Sequence, residues 1–212
     1  MKAILIPVKR FADSKKRLAT HFSQVARAAL AEALCRDFFG VIAEVLLAER
    51  VYVVSQEPLA LGWARERGWQ TISETEQISE SHSVDGASRI CANEGVTALL
   101  RIPIDIPLAT AGDIDAILAA AEPAPSAVIV PSRDGTGTNA LLRSPPCLFP
   151  SHFGPNSFLQ HLAEAERCGA RVNVLHNPRI ALDVDEPGDF AALGNGFRAD
   201  SAIGRWFELH GS

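Results

Sequence analysis

A cluster of basic residues lies in the loop after the first apolar segment of the chain. Behind the run Ala3–Val8 come Lys9, Arg10, Lys15, Lys16 and Arg17. A lysine ammonium supplies a compact positive charge and an arginine guanidinium a planar fork, so this loop suits the phosphate oxygens of a nucleoside triphosphate. The alternative is a solvated basic loop without a ligand. The P-loop pattern G-x-x-x-x-G-K-[ST] does not occur, which disfavours a P-loop ATPase.

An aspartate stands just beyond another apolar segment. Asp105 follows the run Ala98–Ile102, and Pro103 and Pro107 on either side of it keep the backbone extended. A carboxylate in this position can bind a hard cation. Alternatively, it is a turn residue ahead of a helix.

Two more aspartates have the spacing of an extended segment. Between Leu182 and Pro187, the alternation of side chains directs Asp183 and Asp185 to one side. Clustered carboxylates repel one another unless a cation offsets their charge, and Mg²⁺ prefers such ligands together with phosphates and water. With Asp105, this spacing predicts a magnesium site. The alternative is that Asp185 or Glu186 caps a helix opened by Pro187.

Two glycine-containing segments are candidates for anion binding. The alternating glycines of Arg133–Asn139 allow backbone N–H groups to turn inward as an anion cradle, although Asp134 followed by Gly135 is also typical of a simple turn. Phe153–Phe158 leads into a helix whose amino end would offer free N–H groups, and Ser157 adds a hydroxyl. A substrate carboxylate fits there, unless Ser157 only caps its own helix.

The composition excludes several classes of protein. Hydrophobic residues make up 47% of the 212 residues and charged residues 21%, which is ordinary globular usage. The net charge of -5 argues against a binder of nucleic acid or of anionic membranes. The 4 cysteines form no CxxC pair, and no apolar run has the length of a membrane span. We therefore expect a cytoplasmic protein.

Short aliphatic runs alternate with amphipathic helical patterns along the chain. The predicted strands are Ala3–Val8, Val51–Val54, Trp69–Ile72, Ala98–Ile102, Ala127–Val130, Asn139–Arg143 and Arg171–Leu175. The predicted helices are Ser23–Ala48, Pro58–Arg67, Val84–Asn93, Gly112–Ala121, Ser157–Cys168 and a short one within Asp200–His210, with a loop at Ser73–His82. This order predicts an α/β fold, in one domain over residues 1–212. Its mostly parallel sheet would have helices on both faces and ligands at the carboxyl ends of the strands.

Five parts of the chain, taken together, carry a family resemblance. They are Ile6–Lys9 with Lys15–Leu18, Asp105–Leu108, Arg133–Leu142, Phe153–Phe158 and Leu182–Pro187. In content, order and spacing they resemble the 2-phospho-L-lactate guanylyltransferase family of coenzyme F-420 biosynthesis. The resemblance covers nearly the whole chain, and the run Gly135–Leu142 is its most specific element.

The resemblance implies a Rossmann-like nucleotidyltransferase fold of the molybdopterin-guanylyltransferase type, a mixed sheet with one antiparallel strand. It also implies a set of residue roles. Magnesium would be held by Asp105, Asp183 and Asp185. The carboxylate of the acid substrate would be received by Thr138, Gly154 and Ser157. The GTP phosphates would be faced by Lys9, Lys15 and Arg17, which with Asp105 form the catalytic set.

The reaction implied by the resemblance is transfer of GMP from GTP to a small phosphorylated acid, with release of pyrophosphate. The acid is 2-phospho-L-lactate, phosphoenolpyruvate or 3-phospho-D-glycerate, each of which presents a carboxylate and a phosphate close together. The acid's phosphate oxygen would attack the α-phosphorus without a covalent enzyme intermediate. The expected partners are these two substrates and, for transient hand-over of the product, the next enzyme of the deazaflavin pathway. The oligomeric state is left open.

The chain departs from the family pattern near the predicted nucleotide site. Ser81–Ala87 stands where a Leu-Asn pair is expected, and Asp85 becomes the candidate acceptor for a guanine or ribose edge. The alternative places Asp85 in the first turn of a helix. Two other functions remain as alternatives: a molybdenum-cofactor or sugar-phosphate nucleotidyltransferase of the same fold, and a catalytically silent nucleotide-binding or scaffold protein. The family segments argue against the first and the three aspartates against the second.

Overall fold

A computed structural model of the chain describes residues 1–194, 196–197 and 200–210. Its strands are β1 Lys2–Val8, β2 Arg50–Ser55, β3 Gln70–Ser73, β4 Ala98–Arg101, β5 Ser126–Pro131, β6 Thr138–Ser144 and β7 Arg171–Val174. They form one sheet in the order β3-β2-β1-β4-β6-β5-β7. Neighbouring strands are parallel except at β6, which runs antiparallel to β4 and β5. The predicted α/β fold with a mostly parallel sheet is confirmed.

Helices connect most of the strands. They are α1 Gln24–Ala43, α2 Pro58–Glu66, α3 Glu80–Asn93, α4 Ala111–Ala119, α5 Ser157–Arg167, α6 Pro178–Ala181, α7 Pro187–Leu193 and α8 Ala202–His210. Two short 3₁₀ turns, Phe11–Asp13 and Lys16–Leu18, shape the basic loop after β1. None of the helices that the structure describes is both long and apolar enough to cross a bilayer.

The alternation of side chains along β1 divides the helices between the two faces of the sheet. Ile4 and Ile6 pack in one buried cluster with residues of α1, α2 and α4, whereas Ala3 and Leu5 pack in another with residues of α3. Helix α5 contributes Ala165 to a third cluster, which covers β5 and β6. The prediction of helices on both faces is therefore confirmed.

Two predicted helix boundaries are wrong. Helix α1 ends at Ala43 rather than at residue 48, because the carboxylate of Asp115 accepts hydrogen bonds from the N–H groups of Leu46 (3.1 Å) and Leu47 (2.8 Å). A longer helix would use those groups internally. Helix α3 begins at Glu80, inside the segment predicted as a loop, because the Ser79 side chain caps it by accepting from the His82 N–H (3.1 Å).

A buried carboxylate fixes the chain just before the Asp183 segment. Asp113 on α4 accepts hydrogen bonds from the Thr110 N–H (2.9 Å), Asn177 Nδ2 (2.8 Å) and Arg179 Nε (2.7 Å). Burial alone would raise the pKa of Asp113, but Arg179 and the other donors outweigh it and hold the pKa below its usual range. Asp113 thus ties α6 to α4.

We predict that Asp113→Asn lowers the free energy of unfolding by about 1–3 kcal/mol at neutral pH, because a neutral amide replaces the buried carboxylate that accepts these hydrogen bonds. The folded-state pKa is depressed, so the stabilisation is present above the unfolded pKa of about 4 and is lost as pH falls below it. Urea unfolding at a series of pH values measures both effects. A wild-type-to-variant difference that stays constant from neutral pH to about pH 3 would contradict this account. Glu66→Gln, an exposed change on α2, is the control.

Candidate active site

The strand directions bring the predicted functional residues to one edge of the sheet. Lys9 follows the end of β1, and Asp105 comes shortly after the end of β4. Because β6 runs the opposite way, its first residue, Thr138, lies at the same edge. Strands β1, β4 and β6 are consecutive in the sheet, so the basic loop, the aspartate and the threonine are neighbours.

Lys15 contacts two of the three predicted metal ligands. Its Nζ lies 2.6 Å from Asp105 Oδ2 and 3.1 Å from Asp185 Oδ1, and its side chain is only 6% exposed. The Lys15 backbone, with φ 54° and ψ 39°, has the left-handed conformation, which costs a residue with a Cβ about 1–2 kcal/mol. The loop therefore holds the ammonium between the carboxylates at a conformational cost.

The charges of this cluster stabilise one another. Burial alone would lower the pKa of Lys15, but Asp105 and Asp185 outweigh burial and raise it above its usual value. Burial alone would raise the pKa of Asp105, but Lys15 outweighs burial and lowers it. Both groups are therefore ionised at neutral pH, and the ammonium offsets part of the negative charge of the cluster.

The segment around Asp183 has the predicted alternation. Leu182 and Val184 are buried, and the Val184 N–H donates to the Asp105 carbonyl oxygen (2.9 Å), which fixes the two aspartate segments side by side. Asp183 Oδ1 accepts from Asn139 Nδ2 (3.2 Å). Burial and then the nearby charge of Asp105 raise the pKa of Asp183, and the bond from Asn139 does not cancel this effect. Among these contacts, the hydrogen-bond donor to Asp183 is a neutral amide rather than a cation.

The carboxylate oxygens of this cluster are of the ligand type that Mg²⁺ prefers. Its carboxylates belong to Asp105, Asp183 and Asp185, and Lys15 already occupies a cation's position between two of them. Within the described residues, no group of three or more His, Cys, Asp or Glu side chains is arranged to hold a metal ion. Mg²⁺ in nucleotide sites usually takes one or two carboxylates, with phosphates and water completing the shell.

Pro187 and Glu186 form the start of a helix, as the alternative interpretation of the sequence predicts. Helix α7 begins at Pro187 with Glu186 as its N-cap residue. The Asp189 carboxylate accepts from the N–H groups of Asp185 (2.9 Å) and Glu186 (2.8 Å). Helix capping and the clustering of Asp183 and Asp185 therefore occur in the same segment, because the capping uses backbone groups and leaves both side chains available.

Two other basic residues of the loop are exposed and have only surface ion pairs as partners. The side chains of Lys9 and Arg17 are 54% and 66% exposed. Lys9 Nζ lies 3.6 Å from Glu80 Oε2, and Arg17 Nη1 lies 3.7 Å from Asp185 Oδ2. Exposed ion pairs of this kind are worth about 0–1 kcal/mol, so both side chains can turn to an incoming phosphate at little cost.

The three residues predicted to receive a carboxylate are brought together at the amino end of α5. Gly154 has φ 134°, which favours glycine, and its carbonyl oxygen accepts from the Ser157 N–H (3.2 Å). The Phe158 N–H donates to the Thr136 carbonyl oxygen (3.1 Å), which ties the helix start to the segment that contains Thr138. Thr138 and Ser157 are both buried.

The glycine-rich loop 132–137 is a self-contained turn. The Gly135 N–H donates to the Ser132 carbonyl oxygen (2.9 Å), the Thr136 N–H to Asp134 Oδ1 (3.0 Å) and the Gly137 N–H to Ser132 Oγ (2.7 Å). These N–H groups are bonded within the loop, so the prediction of an anion cradle is wrong and the turn is correct. A side chain at position 137 would collide with Ser132, which explains the second glycine.

Asp85 has partners inside the protein. Its carboxylate accepts from Ser151 Oγ (2.7 Å), the Ser151 N–H (3.1 Å) and Arg143 Nη1 (3.3 Å). Arg143 is buried, and it also donates to Ser88 Oγ (2.9 Å) and the Phe149 carbonyl oxygen. The residue lies within α3 rather than in its first turn. The nucleotide contact predicted for Asp85 remains a prediction, and this geometry favours a structural role.

Sequence reasoning missed a buried arginine that links the two halves of the site. Arg101, at the end of β4, donates to the carbonyl oxygens of Thr138 (3.5 Å) and Asn139 (3.0 Å), and its guanidinium lies 4.0 Å from the centre of the Phe153 ring. It also pairs with Glu80, which contacts Lys9. The sequence feature that could have identified Arg101 is its position as a basic residue at the end of an otherwise apolar strand.

The sheet, with a basic loop and carboxylates at its carboxyl edge, is that of a nucleotidyltransferase. A protein named as a nucleotide-diphospho-sugar transferase from Desulfovibrio desulfuricans G20 has the same fold, with a TM-score of 0.78 and 16% identity over 98% of this chain and 94% of that one. The chain belongs to the family described as "Guanylyl transferase CofC like", whose model matches residues 1–199.

Curated relatives support this assignment. The phosphoenolpyruvate guanylyltransferase of Rubrobacter xylanophilus is 38% identical over 89% of this chain and 91% of its own length. The 2-phospho-L-lactate guanylyltransferase of Methanothermobacter thermautotrophicus is 30% identical over 89% of this chain and 82% of its own length. The chain is thus a nucleotidyltransferase related to guanylyltransferases.

Asp85→Asn distinguishes the two roles considered for this residue. We predict a loss of about 3 kcal/mol in the free energy of unfolding, because the buried Arg143 guanidinium loses its charged partner, while the KM for GTP stays within about twofold of wild type. Denaturant unfolding and steady-state kinetics on the folded variant measure these quantities. A tenfold rise in the KM for GTP with unchanged stability would instead assign the carboxylate to the nucleotide.

Proposed function

We propose that this protein transfers GMP from GTP to a small phosphorylated carboxylic acid in coenzyme F-420 biosynthesis. The products are a diphosphate-linked guanosine adduct and pyrophosphate. The observation that supports this most strongly is the adjacency of two different sites at one sheet edge. The Lys15 cluster suits a metal-bound triphosphate, while the Thr138 segment and the start of α5 suit a carboxylate, and Arg101 contacts the backbone that joins them.

The proposed reaction is a direct displacement at phosphorus. An oxygen of the acid's phosphate forms a bond to the α-phosphorus of GTP, and the bond from that phosphorus to the bridging oxygen of the β-phosphate breaks. Pyrophosphate leaves with the electron pair of that bond. The attacking phosphate is already ionised at neutral pH, so the enzyme needs no general base and has two tasks, alignment and neutralisation of charge.

The basic loop would bind the triphosphate. Lys9 and Arg17 are exposed and held only by surface ion pairs, so they can turn to the β- and γ-phosphates. Lys15 lies deeper and would neutralise charge beside the α-phosphorus. Its present contacts with Asp105 and Asp185 keep that ammonium in place before the nucleotide arrives.

Asp105, Asp183 and Asp185 are the carboxylates among which magnesium would find its one or two protein ligands. When bound, the ion would neutralise charge on the phosphates and orient them. The carboxylates themselves are positioned by protein contacts, from Asn139 to Asp183 and from the Val184 N–H to the Asp105 backbone. These contacts leave carboxylate oxygens available to ligands.

Thr138, Gly154 and Ser157 would receive the carboxylate of the acid. Thr138 and Ser157 are buried, which limits the access of water to that group, and the amino end of α5 provides a favourable dipole for a negative charge. Phosphoenolpyruvate is the acid that we propose first, because the relative with 38% identity is named for it. The choice of guanine rests on family membership.

A pyrophosphate-release assay tests the proposal. With magnesium, GTP and each of the three phospho-acids, we expect release with GTP and at least one acid, and at least tenfold slower release with ATP, CTP or UTP. Omission of magnesium should abolish the release. No release with GTP and any of the acids would contradict the proposal.

The aspartate cluster makes a second prediction. Asp105→Asn and Asp183→Asn should each lower kcat/KM by about a thousandfold, because each removes a charge that the metal requires. The far-ultraviolet circular dichroism spectrum and the melting temperature verify that the variants are folded. Glu66→Gln, which removes an exposed carboxylate on α2, is the matched control and should retain full activity. Near-normal turnover of either aspartate variant would remove that residue from the site.

A further inference from the structure

A buried histidine contacts the hydroxyl group that we assign to the acid's carboxylate. His161 lies on α5, where its side chain is fully buried, and its Nδ1 lies 3.0 Å from Thr138 Oγ1. The proposed mechanism makes no use of this histidine. A fully buried imidazole needs partners for both ring nitrogens, and these partners determine which nitrogen bears the proton.

The hydrogen-bond partner of the second ring nitrogen determines which nitrogen bears the proton. His161 Nε2 lies 2.9 Å from the backbone nitrogen of His152. A backbone N–H can only donate, so Nε2 must be the unprotonated acceptor. The neutral ring then has its proton on Nδ1, and Nδ1–H donates to Thr138 Oγ1.

The neutral form of the ring is stable in this environment. Burial and then the charges of Arg143 and His152 lower the pKa of His161 to about 3, with Arg101 acting in the same direction and Asp85 in the opposite one. The ring is therefore uncharged throughout the neutral range. Its contacts with the His152 N–H and with Thr138 stabilise the tautomer that has the proton on Nδ1.

The tautomer determines what Thr138 offers to a ligand. A hydroxyl group has one hydrogen and two lone pairs. Since Nδ1–H occupies a lone pair, the hydroxyl hydrogen is free to point elsewhere. With the opposite tautomer, Thr138 would have to donate to the ring and would present only lone pairs, which repel an anion.

We propose that His161 is a positioning residue that makes the Thr138 hydroxyl a hydrogen-bond donor to the carboxylate of the acid substrate. The inference rests on the proposed function, because that function places the carboxylate of the acid at the Thr138 hydroxyl group. His161 itself does not touch the substrate and acts through Thr138. Recognition of the acid thus depends on a chain of donors that runs from the His152 N–H through the ring to the hydroxyl.

Two amide substitutions separate the roles of the ring nitrogens. In His161→Asn the side-chain amide can take the position of Nδ1–H, which keeps the bond to Thr138 and loses the bond from His152. In His161→Gln the amide oxygen can take the position of Nε2, which keeps the bond from His152 and loses the donor to Thr138. We expect His161→Gln to raise the KM for the acid about tenfold or more, and His161→Asn to change it by less than about threefold. The KM for GTP should stay near wild type in both.

Thr138→Val provides the double-mutant test. Once the hydroxyl is absent, adding His161→Gln should produce no further rise in the KM for the acid, because the two changes remove the same interaction. Equal effects of the Asn and Gln variants, a parallel rise in the KM for GTP, or full additivity with Thr138→Val would overturn the proposal.

Nitrogen NMR of isotope-labelled histidine in the unaltered protein is independent of the variants and of catalysis. We expect His161 to be neutral with its proton on Nδ1, and a ring protonated on Nε2 would overturn the proposal. This measurement stays informative if the protein turns over none of the acids. In that case, the absence of pyrophosphate release removes the proposed function, while the spectrum still tests the tautomer.

Discussion

The organisation of this protein depends on the accumulation of negative charge at one edge of the sheet. Asp105 and the segment with Asp183 and Asp185 are held side by side by a backbone hydrogen bond, so the backbones that bear these carboxylates stay adjacent. Lys15 offsets part of this charge and is placed there by a left-handed backbone conformation that its side chain makes unfavourable. Asp183 accepts from the neutral amide of Asn139, and burial, followed by the charge of Asp105, raises its pKa. This arrangement supports our proposal that a magnesium ion and a triphosphate bind here.

A second network, which contains Arg101 and the neutral His161, shapes the other half of the site. Arg101 holds the backbone of Thr138 and packs against Phe153, and His161 holds the threonine side chain from α5. These contacts join β4, β6 and α5, which come from distant parts of the sequence. Because Arg101 also pairs with Glu80, which contacts Lys9, the two halves that we propose for carboxylate and phosphate binding share one set of supporting contacts.

Much of this arrangement could be predicted from the sequence, because it follows from local patterns of apolar and polar residues. The apolar runs are short and well separated, so the strands and the edge that receives Lys9 and Asp105 follow from periodicity, and the alternation of Asp183 and Asp185 follows from extended geometry. The predictions that failed depended on individual side-chain hydrogen bonds, some from distant residues and some within one loop. Asp115 ends α1 from another helix, and the N–H groups of the glycine loop are consumed by Ser132 and Asp134. The contacts of Lys15, Arg101 and His161 could not be predicted from sequence spacing, because each of them joins separate elements of the fold.

The most direct test is a crystal structure of the protein with a non-hydrolysable GTP analogue, phosphoenolpyruvate and Mn²⁺ in place of Mg²⁺, with the metal located by its anomalous scattering. Our account predicts manganese bound to carboxylate oxygens of the Asp105, Asp183 and Asp185 cluster and to the triphosphate. It also predicts that Lys15 Nζ has moved from between Asp105 and Asp185 towards the phosphates. A bound nucleotide with no metal at these carboxylates, and with Lys15 still between them, would contradict it.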